Sequence, residues 1–392
     1  MPPSTAPEFE VVQAEKMAAG GDAIAHLADG RVVFVDGALP GESVRVQLTS
    51  SKRDFARARV AEVEVASPDR VAPPCPALAQ GCGGCGWQHA DPQAQLRWKA
   101  DIVREALRRT AKLPDAEVRV GGAVTPWEYR SSMRLAVADD GRVGLRSARS
   151  HAVVPLAACP VAVPALSSVL ADVRVSGAEE VSLRASLATG EITAFADGKR
   201  PRVAGVPESA GVGADATLRE TVAGASLRVS AASFFQSGPQ AAELLVAEVA
   251  AACGDALAAA DRVIDAYGGC GLFAATLFPD RAVVVESSPS ACADVRANVP
   301  AAEVHQQLFE QWRPVAAPLV VADPARAGLG REAVALVAAT GADRVVLVSC
   351  DPVAMARDTA LLAAHGYRHG GSTVLDLFPH TPHVEVVTRF DR

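Results

Sequence analysis

"RVIDAYGGCGLF", residues 262–273, decides the fold. It opens with a continuous apolar run, stops at Asp265-x-Tyr267, turns through Gly268, Gly269 and Gly271, and resumes apolar. A run that is apolar on both sides suits a strand covered on both faces of a parallel sheet. Glycines let the backbone turn tightly and approach a ligand, and the helix that follows presents free amides to it. Three further runs of this kind lie downstream, "AVVVES" (282–287), "LVVADP" (319–324) and "RVVLVSC" (344–350), with alanine-rich helical segments between them. The alternation predicts an α/β, doubly wound, Rossmann-like domain over 216–392, with ligands beyond the carboxyl ends of its strands.

The glycine spacing is not the G-x-G-x-x-G of a dinucleotide site. An adenosine-bearing ligand without a pyrophosphate, S-adenosylmethionine, fits it better. Tyr267 lies in the loop, and Glu286 ends the next strand, where a carboxylate takes both hydroxyls of a ribose. Asp323 and Cys350 end the following two strands. Upstream, "SFFQSG" brings Gln236 with Phe234 and Phe235; alone, Gln236 reads equally well as a helix cap and at least one phenylalanine as core. Cys270, inside the glycine loop, reads as packing.

Taken alone, Cys350 is a buried strand cysteine, and Glu385 in "FPHTPHVEVV" (378–387) a strand-edge carboxylate. Beside a methyl donor they acquire another meaning. A thiolate is soft, strongly nucleophilic and easily expelled, which suits addition to C6 of a uracil ring. Addition turns C5 into a carbon that can take a methyl group, and a base such as Glu385 must then remove the C5 proton.

The remainder of the chain divides in two. Over 1–66, short apolar runs alternate with Gly, Asp and Pro turns, predicting a small OB-like β-barrel. "SPDRVAPPCPALAQ" (67–80) breaks that pattern and opens an α+β central region, 67–215. There, "DPQAQLRWKADIVREALRRTA" (91–111) has helical spacing, a basic outer face, and an apolar face free to pack on the catalytic domain. "YRSSMRLAVADDGRVGLRSARSHAVVPL" (129–156) reads as a hairpin turning at Asp140-Gly141 and carrying five arginines. Although the net charge of the chain is −7, residues 97–149 hold 12 basic against 7 acidic side chains, and local basic surface is what meets phosphates.

Eight cysteines in a long chain argue against a disulfide framework. Cys75, Cys82 and Cys85 lie in "PPCPALAQGCGGCGWQH" (73–89), and Cys159 follows in "AACP" (157–160). Such thiols with flanking glycines suit a metal, and spacing leaves an iron–sulfur cluster and zinc both open. No apolar run nears the ~20 residues that span a bilayer, and "MPPSTAPEFE" has no signal-peptide core, so a soluble, cytoplasmic monomer is expected.

In order, the barrel, "CGGCGWQH", "HAVVPLAACP", "SFFQ", "DAYGGCG", "DPARAG", "SCDP" and "FPHTPHVE" resemble the class I S-adenosylmethionine-dependent RNA (uracil-5-)-methyltransferases that carry an N-terminal TRAM domain and an iron–sulfur cluster. The resemblance covers nearly the whole chain. It implies a [4Fe-4S] cluster on Cys75, Cys82, Cys85 and Cys159, and cofactor contacts from Gln236, Tyr267, Glu286 and Asp323. It further implies Cys350 as nucleophile, Glu385 as base, and an RNA whose target uridine is flipped out, ribosomal RNA being favoured over tRNA. Six residues separate Cys75 from Cys82 where five are usual, "DPAR" replaces "DPPR", and Gly268 stands where a cysteine is common. One alternative is a TRAM-containing iron–sulfur methylthiotransferase acting on tRNA, which requires C-x3-C-x2-C rather than the C-x6-C-x2-C present. Another is an RNA-binding protein without turnover. An exocyclic-amine methyltransferase would place an aromatic ring where Arg326 stands.

Overall fold

The computed structural model describes residues 9–392; residues 1–8, which include most of the polar start of the expected barrel, lie outside it. The apolar runs form the centre of an eight-stranded sheet. Its strands are β1 (Val118–Ala123), β2 (Val263–Ala266), β3 (Ala282–Glu286), β4 (Glu303–Gln306), β5 (Leu319–Ala322), β6 (Arg344–Ser349), β7 (Arg368–Asp376) and β8 (Glu385–Asp391). Their order is β4-β3-β2-β5-β6-β8-β7-β1. The first five of these are parallel, and β8 runs antiparallel to both β6 and β7. Every residue of β2 and β5 is buried, so these strands need apolar side chains on both faces. Each such valine or isoleucine contributes ~1.5–3 kcal/mol by leaving water.

Helices cover the two faces: α1 (Pro92–Ala106), α2 (Pro239–Cys253), α3 (Leu272–Leu277), α4 (Pro289–Asn298), α5 (Gly330–Ala339) and α6 (Pro352–Ala364). Asp91 caps α1, its carboxylate accepting from the amides of Gln93 and Ala94. The helix then ends in a π-turn over Leu107–Ala111, close to the expected 91–111. Ala100, Val103 and Leu107 pack in one core with Val374, Val384 and Val386 of the sheet side.

The division at 215/216 is corrected in two places. First, β1 lies within the expected central region yet extends the catalytic sheet, parallel to β7, with Val118 against Ser372 and Val120 against Val374. Its sequence "VRVGGA" hides this, because glycine weakens a strand pattern. The glycines are there for close approach: a Cβ on Gly121 would stand 2.7 Å from Thr373, and one on Gly122 2.7 Å from Leu244. Second, the region after 216 opens with an antiparallel hairpin, Thr217–Val222 and Ala225–Ser230, before the alternating units begin.

The N-terminal strands, from Phe9 to Val65, form one six-stranded sheet around Val33, Val35, Val44 and Val46. Trp87, Trp98 and Ile102, from beyond the expected boundary at 66, complete that core. The central sheet contains the hairpin turning at Asp140-Gly141, with Val137 opposite Val143.

Candidate active site

The topology gathers five residues from distant parts of the chain at one sheet edge. Asp265 lies one residue before the end of β2, Glu286 ends β3, Asp323 and Cys350 follow β5 and β6, and Glu385 starts β8. Ser349 pairs antiparallel with Val386, so the next residues outward, Cys350 and Glu385, face each other across the β6–β8 edge. Only the reversal of β8 within the sheet achieves this, since a parallel strand would carry Glu385 in at the opposite end.

Burial governs the electrostatics of this crevice. It pushes Asp323 up to about 7. Glu385 lies well above the usual carboxylate range, through burial first and the neighbouring Asp323 second. Asp265, fully buried, rises to about 7 for the same leading reason, opposed by the Ala274 amide that its Oδ2 accepts at 3.2 Å. Its Oδ1 has no hydrogen-bond partner among the described residues. The Cys350 thiol is pushed up to about 11 by burial and then by Glu385 and Asp323, while the Arg326 guanidinium pulls the other way. The free protein therefore holds this thiol protonated near neutrality.

Arg326 itself donates to the His383 ring at 2.8 Å. Burial, then Arg326, lowers His383 to about 4, so the ring is neutral at pH 7. The sequence reading assigned no role here to Asp265, Arg326 or His383. Their signal was position: one lies two residues before Tyr267, one three after Asp323, and one two before Glu385.

Around the glycine loop, Tyr267 takes a left-handed backbone conformation (φ 62°). Its hydroxyl donates to Glu310 at 3.0 Å, and its ring packs on Phe309. Glu286 accepts from the Gly269 amide at 2.9 Å and from the Ser288 amide at 2.7 Å, so it is tied to the loop it faces. At Gly268 a Cβ would approach Val284 to 2.5 Å, which leaves no room for a side chain. Cys270 is buried and its thiol rises to about 12, as a packing residue's does. Gln236 is buried; Phe235 joins the core and Phe234 is exposed.

Beside Phe234 and Phe378 opens a cleft of about 1300 Å³ that also meets Arg130, Arg134, Arg184 and Lys199. The expected basic hairpin is largely paired: Arg134 and Arg146 with Glu180, Arg142 with Asp140, and Arg149 with Asp22 and Asp36.

Cys75, Cys82, Cys85 and Cys159 surround one small cavity of about 20 Å³, and all four are free thiols. Among the described residues, no three side chains of metal-binding type are gathered tightly enough to hold an ion.

A glycine turn after the first central strand and carboxylates ending the next strands define a Rossmann-like methyltransferase. The TRAM domain family matches residues 12–61, and the family described as tRNA (Uracil-5-)-methyltransferase matches residues 312–391. An uncharacterized RNA methyltransferase of Streptomyces avermitilis is 36% identical over 423 residues, spanning 97% of both chains. The 23S rRNA (uracil(1939)-C(5))-methyltransferase of Shewanella piezotolerans is 30% identical over 98% of this chain and 95% of that one. The Pyrococcus abyssi tRNA (uracil-54, C5)-methyltransferase, solved with S-adenosyl-L-homocysteine, shares the fold, with a TM-score of 0.73 at 23% identity over 97% of this chain and 99% of that chain. The chain belongs to the TRAM-containing RNA (uracil-5-)-methyltransferase family.

Proposed function

We propose that this protein methylates C5 of a uridine in RNA, with 23S ribosomal RNA as the substrate class and S-adenosylmethionine as the donor. The observation that carries this reading is the facing pair Cys350 and Glu385 beside Asp323 at the carboxyl edge of the sheet. Gln236, Tyr267, Glu286 and Asp323 hold the donor. The chemistry of the residues fits it, because buried carboxylates, with Asp323 raising both Asp265 and Glu385, are relieved by a cationic ligand. S-Adenosylmethionine, when bound, supplies the methyl group taken by C5.

Cys350 adds to C6, forming the S–C6 bond and moving the C5=C6 electron pair toward C5 and O4. The thiol is only partly buried and gives up its proton to water as the S–C6 bond forms, which leaves the Glu385 carboxylate free for the later step. After methylation, Glu385 takes the C5 proton. The electrons of that C–H bond restore C5=C6 and expel Cys350 as thiolate. A uridine stacked in a duplex cannot reach these groups, so the base is flipped. The cleft beside Phe234 and its arginines receives the flanking RNA.

Incubating 5-fluorouridine-substituted RNA with protein and donor tests this. A covalent complex is expected, since fluorine cannot leave as a proton does, and Cys350→Ala should abolish it; no complex with any RNA sinks the reading. Glu385→Gln should lower turnover by roughly 10²–10⁴-fold and accumulate a covalent adduct on ordinary RNA.

We further infer that Cys75, Cys82, Cys85 and Cys159 hold a [4Fe-4S] cluster. The support is four thiols around one cavity, a donor set that suits iron–sulfur chemistry. Bound there, a cluster would tie the 73–89 segment to Cys159. Iron and acid-labile sulfide in anaerobically purified protein check this; zinc without sulfide overturns it.

A further inference from the structure

Glu385 does not reach the active site from a continuous strand. It follows the connection 377–384 between β7 and β8, whose successive carbonyls are bonded from outside the catalytic sheet, while Arg326 holds His383. The carbonyls of Asp376, Leu377, Phe378, Pro379 and His380 accept, in turn, from the Val124 amide, Ser237 Oγ, Lys99 Nζ, the Tyr129 hydroxyl and the Trp87 amide. Lys99 Nζ also donates to Asp376 Oδ1 at 2.7 Å, and the same oxygen accepts from the Phe378 amide at 3.1 Å. Both ends of this ion pair are buried.

His380 is the fixed point of the connection. Its backbone is left-handed, φ 66°, a conformation that a side-chain-bearing residue keeps only when its surroundings impose it. Gln95 imposes it: its Oε1 accepts from the His380 amide at 2.6 Å, while its Nε2 donates to the carbonyls of Trp87 and Ala90. Trp127 stacks on the His380 ring, with centroids 4.1 Å apart. The buried charge and the buried amide thus both come from one face of α1, four residues apart, and both are spent on this connection.

We infer that Gln95 and Lys99 of α1 are positioning residues for Glu385: they fix the 377–384 connection so that the carboxylate meets the C5 proton. Cys350 and Asp323 follow β6 and β5 and lie outside the 377–384 connection that Gln95 and Lys99 bond. The inference rests on the proposed role of Glu385. It predicts a selective defect, in which the adduct still forms but is resolved slowly, because a misplacement of about 1 Å costs on the order of 10²-fold in rate.

The full-length variants Gln95→Ala and Lys99→Met are incubated with S-adenosylmethionine and total RNA from a strain lacking this gene. Two quantities are read: 5-methyluridine in released RNA, and protein–RNA adduct stable to denaturant. Turnover should fall about 10–100-fold while adduct rises above the wild-type level. Equal loss of both, as from simple unfolding, overturns the inference, and so does unchanged turnover. The double variant Lys99→Met/Asp376→Leu fills the site without a buried charge and should keep the fold while still accumulating adduct; turnover at the wild-type rate in that variant overturns the inference. Trapping in Glu385→Gln but not in the α1 variants defeats the clamp alone. Free turnover in Glu385→Gln defeats the role of Glu385 and the clamp with it.

Discussion

Two sets of buried charges lie on either side of β8, and they are treated in opposite ways. In the crevice, Asp265, Asp323 and Glu385 have, among the described residues, no cationic partner close enough to bond, and burial drives each toward its neutral form. Behind β8, Lys99 and Asp376 are as deeply buried but bonded at 2.7 Å, and the lysine makes a second bond to a carbonyl. Burial pulls the ammonium of Lys99 down, and Asp376 opposes it. A buried pair with its hydrogen bonds satisfied fixes geometry. A buried carboxylate left without a partner is a base in waiting, or a seat for a cation. The same residue types therefore serve rigidity on one side and reactivity on the other.

Breaking the pair should produce the larger effect. Lys99→Met leaves Asp376 without its ammonium partner and should cost about 3–5 kcal/mol in urea unfolding, with much of the loss recovered in Lys99→Met/Asp376→Leu. A single variant as stable as the double one would dissolve the contrast.

On the reactive side the effect depends on pH. The Asp265 carboxyl holds its proton more tightly folded, at about 7, than at its ordinary value of 3.8. Its contribution is therefore fully present below pH 3.8 and is lost as pH rises through about 7. Asp265→Asn should remove that loss, up to about 4 kcal/mol, and reduce the slope of the unfolding free energy between pH 4 and 8, Asp323 and Glu385 keeping their share. A variant with the wild-type slope would show that the penalty lies elsewhere.

The surface supplies the smallest effect. Glu180 is exposed enough to be screened, so Glu180→Gln should change stability by less than about 1 kcal/mol. The same change frees Arg134 and Arg146, so RNA binding should tighten and become more sensitive to salt. Weaker RNA binding would show that these arginines do not face the RNA.

The legibility of the chain follows the range of the interactions involved. The parallel core announced itself, because strands buried on both faces must be apolar throughout, as in "RVVLVSC". The crevice was partly legible, since residues at strand ends are the ones that meet a ligand, and this led to Asp323 and Cys350. Strand β1 carries no local signal, because Gly121 and Gly122 answer to Thr373 and Leu244, some 250 and 120 residues away in sequence. The turn of the basic hairpin is legible at Asp140-Gly141, but its net charge is not, because no local pattern reveals that Glu180 and Asp22 come to meet it. Arg326 and His383 were visible as residues and invisible as a pair.

The sequence by itself determined the layers of the fold, the glycine turn and the residue types at the strand ends, because periodicity and turn chemistry act over a few residues. Tertiary structure alone decided that Glu385 faces Cys350, since that follows from β8 running antiparallel between β6 and β7. It also decided that Lys99, from a helix nearly 280 residues upstream of Asp376, closes behind the strand. Long-range pairing depends on how the whole sheet closes, and no local stretch of chain encodes it.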